Sequence, residues 1–259
     1  MFLQGKRILF FSAHLFGYQN DIRLAMESVG AIVDYYDERP ANNFLVKGVI
    51  RINRNLLAGY INHYYNKIIK ETLQKEYDYV FFIKGESISA SNVRRLKQFH
   101  PEANFIIYHW DSIANNSNAQ NLLPYFDRVF SFDKIDCERL GLHFLPLFYT
   151  PDYANIPYYD KEIKYDMLFV GTTHSDRYKL VKRIEEQIIK MGGLCLTWFY
   201  FPSKILYYKM KIQNSYLRQI PVHTFHFKPM SKELLLQLYA GSRIIIDVQH
   251  PKQTGLTMH

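Results

Sequence analysis

The stretch YDMLFVGTTHSDR, residues 165–177, decides the fold. Residues 165–171 form an apolar run of strand length that ends at Gly171. A helical pattern follows over 176–191, with Asp176 where a helix would open. An apolar run closed by glycine and followed by an amphipathic segment predicts a strand, a loop and a covering helix. Units of this kind build parallel sheets buried on both faces. Working outward, strands are predicted at 7–12, 31–36, 77–85, 104–110, 127–133 and 143–149, with helices at 20–29, 55–75, 91–99 and 119–123. On the other side, strands are predicted at 194–201, 222–227 and 243–248, with a helix at 231–239. Pro151, Pro157 and a polar drift interrupt the pattern between the two series. The expectation is an α/β protein with a first domain over 1–150, a linker over 151–164 and a second domain over 165–259. A doubly wound domain commonly has about six strands, and the second series holds about four, so it reads as incomplete.

Composition narrows the function classes. The chain has 259 residues, a net charge of +8 and a pI near 9.2, which favours an anionic partner. Its 21 Tyr and 19 Phe suit a core, but also a sugar surface or a membrane interface. The positive charge is not gathered in one block and no nucleic-acid module is present, so no nucleic-acid partner is expected. Cys137 and Cys195 form no CxxC pair and read as free thiols in a reducing cytoplasm. Lys6 and Arg7 precede ILFFSA, but that run is too short for a signal peptide and reads as a buried first strand. No run of about 20 apolar residues occurs, and a cytoplasmic location is expected, with contact at the inner face of the cell membrane.

In open α/β sheets ligands bind beyond the carboxyl ends of the strands. The loops that matter are therefore 12–19, 84–89, 109–117, 171–177 and 249–259. In the fourth, Gly171 offers close backbone approach, Thr172, Thr173, His174 and Ser175 offer donors, and Arg177 offers a fork for phosphate. The same residues also fit a plain strand–turn–helix with Ser175 or Asp176 as its cap. Glu86 and Asp111 each follow a strand, where a carboxylate serves either as general base or as a cap or solvated loop residue. His14 is a third candidate base. The loop is not G-x-G-x-x-G, and no D-x-D pair, metal-ligand spacing or G-x-S-x-G elbow occurs. No metal or other cofactor is expected. The basic, aromatic segment KILYYKMKIQNSYLRQ, 204–219, fits either an amphipathic helix packed on its own domain or an element lying on an anionic membrane; RINRNLLAGYINHYYNKIIK, 51–70, has the same character.

YDMLFVGTTHSDR, YHWDS, RVFSFDKID, LPLFY and the terminal HPKQTGLTM together resemble bacterial GT-B glycosyltransferases. They are most similar to the CgeB-like proteins encoded with lipopolysaccharide and capsule synthesis genes. The resemblance implies a GT-B-like fold of two facing Rossmann-like domains, the second incomplete here, and metal-independent transfer from a nucleotide-sugar to a hydroxyl of a glycan or lipid-linked glycan. It implies that Gly171, Thr172, His174, Ser175 and Arg177 face the donor phosphates, with Gln253, Thr254, Gly255 and Thr257 as the second wall. It implies Asp111, then Glu86, as the acceptor-side base. In such proteins the threonine–methionine pair is followed by arginine and then glutamate; here His259 stands in the arginine's place, so the second domain reads as cut short. A non-catalytic scaffold that binds glycan or membrane is the alternative.

Overall fold

The computed structural model describes residues 2–15, 17–116, 118–156, 162–173 and 176–248. The chain divides into two compact units, one ending at Phe148 and the next starting at Tyr149.

The first unit is a six-stranded sheet of β1 (Arg7–Phe11), β2 (Ile32–Tyr36), β3 (Tyr79–Ile83), β4 (Asn104–His109), β5 (Arg128–Ser131) and β6 (His143–Phe144), in the order β2-β1-β3-β4-β5-β6. Every pairing among them is parallel. Side chains alternate across the sheet. Leu9, Phe11, Val80, Phe82, Phe105 and Ile107 pack on one face, under Ile61, Tyr65, Ile68 and Ile69 of α3 (Ala58–Thr72) and Val93 and Leu96 of α4 (Ala90–Phe99). Ile8, Phe10, Ile83 and Tyr108 lie on the other, with Ile22 and Met26 of α1 (Tyr18–Ser28). The crossover after β1 thus runs on one face and that after β2 on the other. The carboxyl ends of β1 and β3 therefore flank the switch point where such sheets bind ligands.

Three segments of this unit differ from the sequence expectation; in the second unit the strand expected over 222–227 shrinks to Phe225–His226, with a 3₁₀ turn at Val222–Thr224. A helix α2 (Phe44–Asn53) precedes the long helix, and a 3₁₀ turn at Arg54–Leu57 separates it from α3. Asn43 starts α2 by accepting from the Val46 N–H, and Asn53 accepts from Asn55 N–H, so one continuous helix is interrupted by a second cap. Helix α6 (Lys134–Leu140) fills a span for which the sequence reading predicts no element, because Asp133 caps the N–H groups of Ile135 and Asp136. The strand expected over 143–149 shrinks to β6, since Pro146 has no N–H to continue the ladder. The remaining short helix of this unit, α5 (Ala119–Leu122), lies where expected.

The second unit carries β7 (Tyr165–Thr172), β8 (Cys195–Tyr200), β9 (Phe225–His226) and β10 (Ser242–Ile245) in the order β10-β7-β8-β9, again all parallel. Its core joins Met167, Phe169, Phe199, Phe201 and Phe225 to Val181 of α8 (Arg177–Lys190), Tyr207 of α9 (Lys204–Gln213) and Leu217 of α10 (Ser215–Arg218). The basic segment 204–219 is thus packed on its own unit through one face. Helix α11 (Lys232–Ala240) packs on β7 and β10. Helix α7 (Pro151–Ala154), inside the span expected as linker, meets it through Lys232–Asp152 at 2.5 Å and Tyr153 against Tyr239. No helix among the described residues is long and apolar enough to cross a membrane.

Phe82 is fully buried, stacked on Phe11 with ring centroids 4.3 Å apart and edge-on to Phe126 at 5.6 Å. Phe82→Ala is expected to cost about 3–5 kcal/mol of unfolding free energy in denaturant titrations, against a few tenths for an exposed control such as Phe2→Ala.

Candidate functional site

At the carboxyl edge of the first sheet, β3 ends in two consecutive left-handed residues, Lys84 at φ 71° and Gly85 at φ 64°. A lysine held there is strained, and the surroundings hold it. Its N–H donates to Tyr108 O at 3.0 Å, its carbonyl accepts from Asn116 Nδ2 at 3.1 Å, and Asn118 Nδ2 donates to Gly85 O and Ile88 O at 2.9 and 2.8 Å. A side chain on Gly85 would meet Leu122 Cδ1 at 2.9 Å, so glycine is required beside the lysine. The turn brings Lys84 Nζ to 2.5 Å from Asp111 Oδ2, beyond β4, and to 3.7 Å from Glu86 Oε1. Arg39, beyond β2, donates to the other Glu86 oxygen. The two carboxylates singled out from the sequence therefore share one lysine, and Glu86 also holds an arginine.

Beneath this chain of charges lies Glu38, which is completely buried. Its Oε1 accepts from the main-chain N–H groups of Ser87 at 2.5 Å and Ile88 at 3.2 Å, while Ser87 Oγ and Tyr65 Oη donate to its carbonyl. Burial, and then the neighbouring Glu86 charge, push its carboxyl up to about 7, against the opposing pull of the Ser87 N–H and Arg39. His109, at the end of β4, is also buried and is pushed down to about 4 by desolvation, so it is neutral at neutral pH. His14, beyond β1, is more open, with its side chain 55% exposed. Gln19 Oε1 accepts from Leu15 N, which directs Gln19 Nε2 toward His14 Nδ1 at 3.0 Å. That assigns the proton to Nε2, which faces Asp37 Oδ2 at 3.4 Å.

At the carboxyl edge of the second sheet, β7 ends at Thr172 and the Thr173 N–H donates to Tyr200 O at 3.1 Å. A Cβ on Gly171 would lie 3.0 Å from the Phe169 ring and 3.1 Å from Arg177 Nη1. The space beside Gly171 is thus filled by the protein's own side chains. Arg177 opens α8, lies over the Phe169 ring, and donates to Thr172 O at 3.1 Å and to Val248 O. It ties the end of β7 to the segment after β10, the two strands flanking this sheet's switch point. Burial pushes its guanidinium down, and Asp247 opposes that shift. Asp176 makes no side-chain cap bond to α8, and Thr173 Oγ1 is buried without a hydrogen-bond partner. Cavities of about 460 and 310 Å³ lie at the opposite edge, by Tyr165 and Gly241 and by Asp166 and Arg243.

The structure brings Asp111 and Glu86 together in the first unit, and Gly171, Thr172 and Arg177 together in the second. His174, Ser175, Gln253, Thr254, Gly255 and Thr257 lie outside the described residues. Sequence reasoning missed Asp37, Glu38, Arg39 and Lys84. Their signal was present: DERP, 37–40, directly follows the strand ending in Tyr36. Among the described residues, no cluster of three or more His, Cys, Asp or Glu side chains is placed to hold a metal ion.

The fold has counterparts among solved structures. One is an alpha-glucosyltransferase in complex with UDP and a 13-mer DNA containing a central A:G mismatch, with 13% identity, a TM-score of 0.56, and coverage of 91% of this chain and 70% of that one. Another is the catalytic domain of starch synthase IV from Arabidopsis thaliana bound to ADP and acarbose, with 8% identity, a TM-score of 0.57, and coverage of 93% and 78%. The fold is GT-B-like. Each unit is a Rossmann-like domain, and at these identities the likeness is one of fold. No protein-family model matches the chain, and no curated protein matches it in sequence.

The buried Glu38 generates a pH prediction. Its carboxyl titrates at about 7 when folded and near the ordinary 4.5 when unfolded. Between these values the folded state keeps a proton that the unfolded state has lost, so its contribution to stability falls as pH rises through that window. Denaturant titrations should show wild type losing roughly 3 kcal/mol relative to Glu38→Gln between about pH 4.5 and 7. A difference that stays flat across the window would refute the assignment.

Proposed function

We propose that the chain is a glycosyltransferase that moves a sugar from a nucleotide-sugar donor to a hydroxyl of a lipopolysaccharide, O-antigen or capsule glycan, without a divalent metal. The observation that carries the reading is the amino end of α8. Arg177 and Lys179 occupy its first turn, no acid does, and Asp176 leaves the helix uncapped by its side chain. Cations at the positive pole of a helix are unfavourable, and an anion bound there relieves them. A nucleotide diphosphate is such an anion, with Thr173 Oγ1 as a further donor toward it. The fold likeness to proteins solved with UDP and ADP supports this choice. In this reading His174 and Ser175 also face the phosphates, and Gln253, Thr254, Gly255 and Thr257 form the facing wall, as the CgeB-like resemblance implies.

The acceptor would meet the carboxyl edge of the first sheet. Asp111 and Glu86 must each give up a cation before taking a proton. His14 carries no such debt: an acceptor hydroxyl that displaces the Gln19 amide from Nδ1 would pass it a proton, and Asp37 would stabilise the resulting imidazolium through Nε2–H. We assign His14 as the base, with Asp111, its side chain 30% exposed, accepting a hydrogen bond from an acceptor hydroxyl. The occupied state of Asp111 and Glu86 also favours the second reading, a scaffold that binds glycan or membrane without catalysis.

Calorimetry with UDP-, GDP-, ADP- and CMP-linked sugars tests the donor half. One class should bind, and Lys179→Ala should weaken it about tenfold; binding of none sinks the proposal. With the donor known, His14→Ala should lower transfer to lipid-linked glycans on the order of 10²–10⁴-fold at unchanged nucleotide affinity. Nucleotide binding without transfer by wild type would favour the scaffold.

A further inference from the structure

Helix α9 is apolar on two opposite faces. Tyr207 is completely buried in the second unit's core, with Met210 packed against the same cluster. On the other side, Ile205, Tyr208 and Ile212 are 71%, 53% and 72% exposed. Their spacing of three and four residues places them in one stripe along the helix. An exposed apolar stripe of this kind marks an interaction surface. Its neighbours are basic. Lys204 and Lys209 are exposed beside it, Lys204 Nζ lies over the Phe227 ring at 5.9 Å, and Lys211 Nζ lies over the Tyr207 ring at 5.5 Å. Arg218 Nε donates to Lys211 O at 3.2 Å, and its Nη2 donates to Ile212 O, which closes the carboxyl end of α9 with a cation beside Ile212. Tyr208, Lys211, Ile212 and Arg218 line a shallow depression of about 270 Å³.

The charge pattern selects the partner. Residues 187–232 contain no Asp or Glu, and Lys204, Lys209, Lys211 and Arg218 are the cations carried by α9 and the α10 helix beside it. A partner for this face must therefore offer apolar contact and negative charge together. A bilayer of anionic phospholipid does so at matching depths: acyl chains receive the isoleucines, the headgroup layer receives the tyrosine, and phosphates meet the cations. We propose that α9 docks the second unit on an anionic membrane surface, with Ile205 and Ile212 inserted and the depression by Lys211 and Arg218 holding a phospholipid phosphate. The inference rests on α9 and the adjoining Arg218 and is independent of the transferase reading.

Flotation of the whole chain with vesicles tests it. Wild type should float with phosphatidylglycerol–phosphatidylcholine vesicles at low salt, stay unbound with phosphatidylcholine alone, and be released in part at high salt. Lys204→Ala, Lys209→Ala and Lys211→Ala should each weaken partitioning about fivefold. The pair Ile205→Ser and Ile212→Ser should weaken it more than tenfold with an unchanged melting temperature, since both side chains are exposed. Absence of wild-type flotation on anionic vesicles overturns the proposal. So does equal binding to neutral vesicles, or full binding by the serine pair. Self-association by sedimentation that the serine pair abolishes, without flotation, would instead make this face a contact between copies. Calorimetry with the nucleotide panel on the serine pair reads the donor site separately, so failure of one proposal leaves the other standing.

Discussion

Every strand pairing described in this chain is parallel, and the rest of the structure depends on that constraint. A parallel strand needs a crossover that returns the chain to the edge it left, so every strand points its carboxyl end the same way. All the loops able to hold chemistry then gather on one edge of each sheet. The same constraint buries both faces. Phe10 and Phe11 are neighbours in sequence, lie in opposite cores, and are both fully buried. The aromatic richness of the sequence is largely the filling of these layers.

At the first sheet's edge, the constraint also concentrates charge. Loops after β2, β3 and β4 deliver Arg39, Lys84, Glu86 and Asp111 to one place, and low exposure strengthens each pairing there. Glu38 sits below them as the fixed point, receiving two main-chain N–H groups from the β3 loop. It joins two loops that are 49 residues apart. Lys84 keeps its left-handed backbone at the point where its side chain reaches both carboxylates. At the second sheet's edge the corresponding joint is Arg177, whose guanidinium holds main-chain carbonyls at the end of β7 and beyond β10. A residue type suited to phosphate is used here, in part, to hold the loop itself.

Much of this was legible in the chain and some was not. The strand–helix alternation was read correctly at β1, β2, β3, β4, β5, β7, β8 and β10 because each is an apolar run bounded by polar residues. The helices α2 and α6 were missed because their starts are set by single side chains, Asn43 and Asp133, whose capping bonds are three-dimensional facts. Glu86 and Asp111 were found as strand-end carboxylates, but their shared lysine was not, since nothing local in IKGESIS foretells a left-handed lysine. DERP was passed over because three charged residues and a proline after a strand look like an ordinary turn.

The outer face of α9 shows the same division. Its sequence alternates cations with apolar residues closely enough that both the packed and the surface-bound alternatives fit it. Only packing separates them by residue: Tyr207 goes inward and Ile205, Tyr208 and Ile212 go outward, because a helix has one side against its sheet and one away from it. What the sequence by itself determined is the class of architecture, since hydrophobic periodicity is a local property that each segment carries alone. What the tertiary structure decided is which charges meet, which arginine is spent on carbonyls and which apolar stripe stays open. Those depend on distances between segments that hydrophobic periodicity leaves unspecified.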